Sequence, residues 1–462
     1  MRSRSILVLS SLLLVSSGFA VACSSAANVE LPYQDGGPDS SHVSSSGAGN
    51  DASTSSSGAG DASIDGAEGG VADGHVGDAA SGGDGEAGTK GDAGNDGGTG
   101  AGEGGPASDG ATGGDGGSPG GIWVLRVGAV GAGSAPTGLA TAAFLDRFAA
   151  DGTSLGTIAL PTAAAGSNQP LTLSGSATSE GALTRSSDGR YVVLAGYAAA
   201  PGAGDVLADG ALSPVKDAPT TGAGAVLRVL GRVDAAGTID TSFTTTAYSG
   251  QNVRGAATVD GTAYWMFGDG SGSSDGISYQ AASGGVAVFV STGVPTVRVG
   301  SIFGGRVYGA SATGSVRGVF TMPDPLPMAA ETGAVLAGFP TTPGPSPYAF
   351  VALALGGADA DTIYLCDDRS SGNGGGIERW KLASGTWALS ATLNDSMTSG
   401  CRGLSASFDG TDVTVVVTTT ETTGNHLLAF VDTPAGLATI SATKLADAPA
   451  NTVFRGVAFA PN

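Results

Sequence analysis

The chain is poor in the residues that most chemistry needs. Its 462 residues include three Cys and three His, with 13% charged and 6% aromatic side chains. From residue 121 onward a single His remains, His426. One His and two Cys cannot furnish the nitrogen and sulfur ligand sets of a zinc centre, so neither a metal nor a cofactor is expected. Helical periodicity never persists beyond a few residues, which excludes bundles and doubly wound folds. No cluster of basic residues is present to track a phosphate backbone, so nucleic acid is excluded as a partner. The net charge of -21 is uneven. Residues 24–120 hold 16 acids against Lys90 alone, whereas residues 121–462 hold 25 acids and 17 bases, a balance of -8. Most of the acidity therefore belongs to a low-complexity stretch and not to a binding face.

Against this sparse background the N-terminus is distinctive. Arg2 and Arg4 precede an apolar run from Ile6 to Ala22, which closes on Ala20-Val21-Ala22-Cys23. A basic start, an apolar run and small residues at a cut site form the layout of a secretory signal. The run is short and interrupted by Ser, unlike a membrane span. With Cys following the small residues, the segment resembles the lipobox of bacterial lipoproteins, departing from it at Ala20, where the family usually has Leu. The resemblance implies that residues 1–22 are a signal peptide and that Cys23 becomes a lipidated, palmitate-bearing N-terminus. It places the protein in the bacterial cell envelope, anchored to the outer membrane by lipid alone, on its periplasmic or outer side. An ordinary cleaved signal with an incidental Cys is the alternative. Export also frames the two remaining cysteines: an even pair in an oxidising compartment predicts a disulfide between Cys366 and Cys401.

Residues 23–120 are Gly, Ala, Ser and Asp with almost no branched or aromatic side chains. Such a segment cannot bury enough apolar surface to offset chain entropy, and a disordered linker is predicted. Gly recurs at every third position from Gly82 to Gly100, but without Pro this register reads as a flexible tether and not as a collagen triple helix.

Residues 121–462 read as one all-β domain of short strands punctuated by Gly, Asp and Pro turns. One unit repeats: Val253-Arg254-Gly255, Val297-Arg298-Val299, Cys401-Arg402-Gly403 and Phe454-Arg455-Gly456 each open a small, apolar strand. A tight turn and a second strand follow the first three. Weaker copies begin near Ala182 and Tyr348. Starts spaced by about 44 to 72 residues, with several strands per unit, are the pattern of propeller blades. The last first strand, 454–459, has no successor, while the segment 122–160 holds three strands with no first strand. Joined, they complete one blade and give a six-bladed β-propeller; a seven-bladed propeller or a β-sandwich are the alternatives. The strand pattern is similar to that of bacterial extracytoplasmic propellers, including uncharacterised lipoproteins, a resemblance that implies no catalytic residues.

In that topology the starts of the first strands share a face with the loops after the second strands. Arg254, Arg298, Arg402 and Arg455 would stand around a channel mouth with Asp367 and Asp368. Two readings are open. Either the guanidinium forks present donors to a carboxylate, phosphate or sugar, or each Arg ties its blade to the next. Asp269, Ser271, Ser273 and Asp275 loosely match a calcium loop but lack its bend Gly and closing Glu. Gly272 to Gly276 fits G-x-S-x-G with no helix to follow, and reads as chance. The expected function is a monomeric, non-enzymatic module that binds a protein or glycan partner. The alternative is a polymer-degrading hydrolase or lyase using mouth carboxylates, which requires two of them within ~5–10 Å.

Overall fold

A computed structural model describes residues 121–462 except 207–211, 223, 271–275, 358, 396 and 434–440. The signal segment 1–22, Cys23 and the linker 23–120 lie outside the described residues, as does the tract 271–275 that carries the calcium-like and G-x-S-x-G patterns. The described chain is all-β. Its only helical pieces are two single 3-10 turns, Val215–Asp217 and Ser371–Asn373.

Twenty-four strands build six antiparallel sheets. β1 (Ile122–Val127), β2 (Ala140–Phe148) and β3 (Ser154–Ala159) lie side by side. The second sheet comprises β4 (Thr184–Arg185), β5 (Tyr191–Tyr197), β6 (Arg228–Asp234) and β7 (Ile239–Thr245). The third comprises β8 (Val253–Ala257), β9 (Tyr264–Gly268), β10 (Ile277–Gln280) and β11 (Val288–Phe289). The fourth comprises β12 (Val299–Phe303), β13 (Arg306–Thr313), β14 (Val316–Thr321) and β15 (Ala334–Val335). The fifth is β16 (Pro347–Leu353), β17 (Thr362–Asp367), β18 (Gly376–Ala383) and β19 (Thr386–Leu393), and the sixth β20 (Cys401–Phe408), β21 (Val413–Thr419), β22 (His426–Asp432) and β23 (Thr443–Asp447). The final strand, β24 (Val453–Phe459), returns to the start of the domain and pairs with β1, from Ile122 opposite Phe459 to Val127 opposite Val453. The expected pairing of 454–459 with a strand from 122–160 is thus present. Three strands from one end and one from the other make the first sheet, so β1 is paired on both sides.

The pairing has two irregularities that the strand pattern did not announce. Residues Thr172–Ser174 bridge β2 to β5 and join the first two sheets. Ser291–Thr292 and Glu331–Thr332 form a short parallel pair.

Alternating apolar side chains explain why the sheets stack. Both faces of each sheet are buried between neighbours, and the interfaces follow one another in chain order. Leu145 and Trp123 pack with Leu194 and Val233. Val193 and Leu230 pack with Ala256 and Met266, and Phe267 and Ile277 with Val299 and Phe320. Ala310 and Val319 meet Ile363 and Trp380, where Phe339 stacks on Trp380 with ring centroids 4.2 Å apart. Tyr364 and Ile377 meet Leu404 and Val415. Val416 and Leu427 then meet Ile122 and Phe454, bringing the sixth sheet against the first. The innermost strands touch in the same circuit: β4, β8, β12, β16, β20, β24 and β4 again.

Backbone geometry at two kinds of position sustains this arrangement. The β12–β13 hairpin turns on Gly304 and Gly305, with φ of 55° and 70°, the paired left-handed conformation that a two-residue turn demands. Gly403 and Gly456 serve close approach instead. A Cβ on Gly403 would sit 2.2 Å from the Arg455 carbonyl oxygen, and one on Gly456 2.3 Å from the Leu183 nitrogen. In these two Arg-Gly pairs the Gly is the space into which the chain of the neighbouring sheet fits.

Candidate functional site

Five of the six inner strands are irregular near the residue that opens them. The β8–β9 register shifts across Arg254, and the β20–β21 register shifts across Arg402. The β24–β1 register shifts between Phe454 and Val457, a stretch that includes Arg455, and the β16–β17 register shifts between Pro347 and Phe350, spanning Tyr348. At the start of β12, the Arg298 amide donates to Ala310 O at 2.8 Å although Val299 is the residue that pairs with Ala310. An extra residue in one strand is a β-bulge, which bends the strand and re-aims its side chain.

The side chains so re-aimed adjoin one another. Arg298 donates to the Tyr348 hydroxyl and lies over its ring at 4.4 Å, with the Arg402 guanidinium 5.4 Å from the same ring. Arg254 reaches Val297 O at 3.5 Å and Asp269 at 3.6 Å. Arg402 donates to Asp368 Oδ2 at 3.1 Å and to Thr420 O at 3.4 Å. Arg455 places Nη2 on the carbonyls of Ser174 and Gly175, at 2.8 and 2.9 Å, with Nη1 4.0 Å from Glu180 Oε2. Arg254, Arg298 and Arg455 are buried and Arg402 is half-buried. These contacts run from one inner strand to the next, so the arginines lock the strand starts together.

Two members of this ring were not among the expected site residues. Tyr348 holds the position on β16, and Glu180, followed by Gly181, holds the corresponding place before β4. The signal was available: Glu180-Gly181 aligns with Arg254-Gly255, Arg402-Gly403 and Arg455-Gly456 once the Gly, and not the charge, anchors the comparison. Glu180 is buried, accepts the Tyr197 hydroxyl at 2.5 Å and the Ser174 amide at 2.9 Å. Burial pushes its carboxyl up to about 7, against the pull of Arg455 and its hydrogen bonds.

Asp367 and Asp368, both expected at the mouth, take different partners. Asp367 accepts the Ser346 amide at 2.9 Å and the Arg369 side chain at 2.9 Å, while Asp368 turns to Arg402 in the next sheet. Glu378 shares Arg369 with Asp367 and accepts Trp380 Nε1 at 2.8 Å; burial, reinforced by the Asp367 charge, raises its carboxyl to about 7. His426 opens β22, half-exposed, 2.5 Å from Asp447. Among the described residues no group of three or more His, Cys, Asp or Glu is placed to hold a metal ion, and no helix is long and apolar enough to cross a membrane.

Cys366 and Cys401 are joined by a disulfide with Cα atoms 5.2 Å apart. It links the end of β17 to the start of β20, beside the Asp368–Arg402 bridge.

Beyond the arginine ring, the inner strands enclose a cavity of about 160 Å³. Its wall begins at Leu183, Val299, Ala349, Leu404 and Val457, one to three positions past the ring residues, and ends at Ser187, Gly305 and Leu353. Five of the six inner strands therefore line it, with the guanidiniums at one end. Ser301 and Ser405 present hydroxyls, Arg185 the sole charge, and Ile302 and Phe303 apolar surface. No protein-family model matches this chain, and no curated protein is similar to it in sequence.

Proposed function

We propose that residues 121–462 form a six-bladed β-propeller, held at the bacterial envelope through lipid on Cys23, that binds a protein or glycan partner at the cavity between its inner strands. The blade count rests on six four-stranded sheets in cyclic contact order, the first completed by β24. The observation that carries the binding reading is the cavity itself, a concave site with convergent hydroxyls on a rigid scaffold. The disulfide suits an oxidising compartment, which favours export. Binding is preferred to polymer hydrolysis because the cavity wall contains no carboxylate, and Asp367, Asp368 and Glu378 bond internal partners. General acid chemistry on a glycoside requires a carboxyl facing the substrate.

Two measurements test the proposal. Palmitate labelling with cell fractionation should place label and membrane association on the wild type and remove both in Cys23→Ala. Glycan-array and pull-down screens of the mature protein should yield a partner whose capture is lost in Ser405→Leu and Ser301→Leu at unchanged melting temperature. Undiminished capture by both variants would place the partner elsewhere on the domain.

A further inference from the structure

We propose that the cavity takes an acidic sugar: a hydroxylated ring of monosaccharide size bearing a carboxylate, as at the end or a branch of a uronic-acid glycan. This deepens the binding reading above and rests on it. Three features of the wall specify the chemistry.

The first is the open strand edge. β12, β16 and β20 each end their sheet, and they pair outward with β13, β17 and β21 alone. β24 likewise pairs only with β1. Their opposite edges turn inward to the cavity, so backbone N–H and C=O groups alternate along its wall. Sugar hydroxyls both donate and accept, and they match such an edge better than a group limited to one role. Ser301 and Ser405 add side chains of the same dual capacity.

The second is charge. The domain carries 25 acids, yet the wall includes none of them and one guanidinium, Arg185. Carboxylates near the rim are engaged locally. Asp188 bonds Arg190 and Ser186, and Asp260 and Asp409 accept amides of their own turns.

The third is the floor. Arg298 and Tyr348 directly precede the lining residues Val299 and Ala349, and Arg402 and Arg455 stand two positions before Leu404 and Val457. Four guanidiniums gather there against Asp269, Asp368 and Glu180. Near neutral pH the Glu180 carboxyl is only partly ionised, so the positive sign prevails. Nε and Nη1 of Arg455, a residue 6% exposed, make no hydrogen bond. Low-dielectric walls focus such a field into the cavity.

The test is calorimetric titration of the mature protein with glucuronate, glucose and inorganic phosphate. Glucuronate is expected to bind, with glucose at least tenfold weaker. Arg185→Gln should weaken glucuronate tenfold or more, and Ser405→Val should weaken it at unchanged melting temperature. Equal binding of glucose and glucuronate would overturn the acidic preference and leave the binding reading standing. Phosphate binding as tightly as glucuronate would overturn the sugar component. Glucuronate binding that ignores both substitutions, or no binding of it at all, would overturn the proposal, while partner capture sensitive to Ser301→Leu would still uphold the cavity as a binding site.

Discussion

Opening the Cys366–Cys401 bridge should cost the domain about 4 kcal/mol. The two residues are 35 positions apart and both are fully buried. The bond closes a loop that holds β18, β19 and the Gly-rich turn before them. In the chain-entropy account a loop of that length withholds roughly 4 kcal/mol of disorder from the unfolded state at 25 °C. Domain stabilities run from about 5 to 15 kcal/mol, so the loss is a quarter or more of the whole. The assay is urea unfolding of mature protein in three forms: oxidised, reduced in denaturant and refolded with its thiols intact, and Cys366→Ala/Cys401→Ala. The reduced form separates the two sources of stability, because it keeps both sulfur atoms in the core and loses only the covalent link. Reduced protein should lose nearly as much as the double variant, with a steeper denaturant dependence from its more expanded unfolded chain. A loss below about 1 kcal/mol in the reduced form, beside a large loss in the double variant, would refute the entropic reasoning and assign the effect to packing.

Four further outcomes follow from the geometry. Gly456→Ala should destabilise by about 2 kcal/mol or more, since its Cβ would meet the Leu183 nitrogen at 2.3 Å; thermal unfolding reads this directly. Deleting residues 452–462 should abolish cooperative unfolding of the whole domain, because β24 is the inner strand of the first sheet; a truncated protein that melts normally would contradict the pairing. Asp432→Ala should cost about 3–5 kcal/mol, as it strands the buried Arg379 guanidinium, bonded at 2.6 Å, and the Tyr364 hydroxyl. Glu180 gives a pH signature: its folded pKa of about 7 exceeds the ordinary 4.5, so the folded state holds the proton more tightly. Its contribution is complete below about pH 4.5 and lost as pH rises to about 7, a fall of about 3 kcal/mol that Glu180→Gln should remove from the stability–pH curve.

What the sequence discloses, and what it hides, divides along a physical line. The inner strands were legible because four of them begin with an Arg, three times followed by Gly, and because the orphan strand at one end matches the gap at the other. These are local patterns, and local sterics enforce them. The destinations of the side chains were not legible. Arg455 bonds the carbonyls of Ser174 and Gly175, 281 and 280 residues away. Carbonyl acceptors have no identity in a sequence, so any arginine in such a frame looks free to meet a ligand. The same blindness hid Glu180 and the role of Tyr348, which fill the arginine's place with different chemistry, and it left Asp367 and Asp368 looking free at the mouth when one bonds Arg369 and the other Arg402. The cavity is the extreme case. It exists only because five strands, each from a different sheet, come together to line it. An Arg-Gly motif read from sequence marks the end of this well, where the strands lock together. The surface that can receive a ligand begins one to three residues later, among Ser, Ala, Val and Leu, where composition gives no signal. The cavity therefore sits beside the most conspicuous residues of the chain, because those residues are occupied in bonding neighbouring sheets to one another.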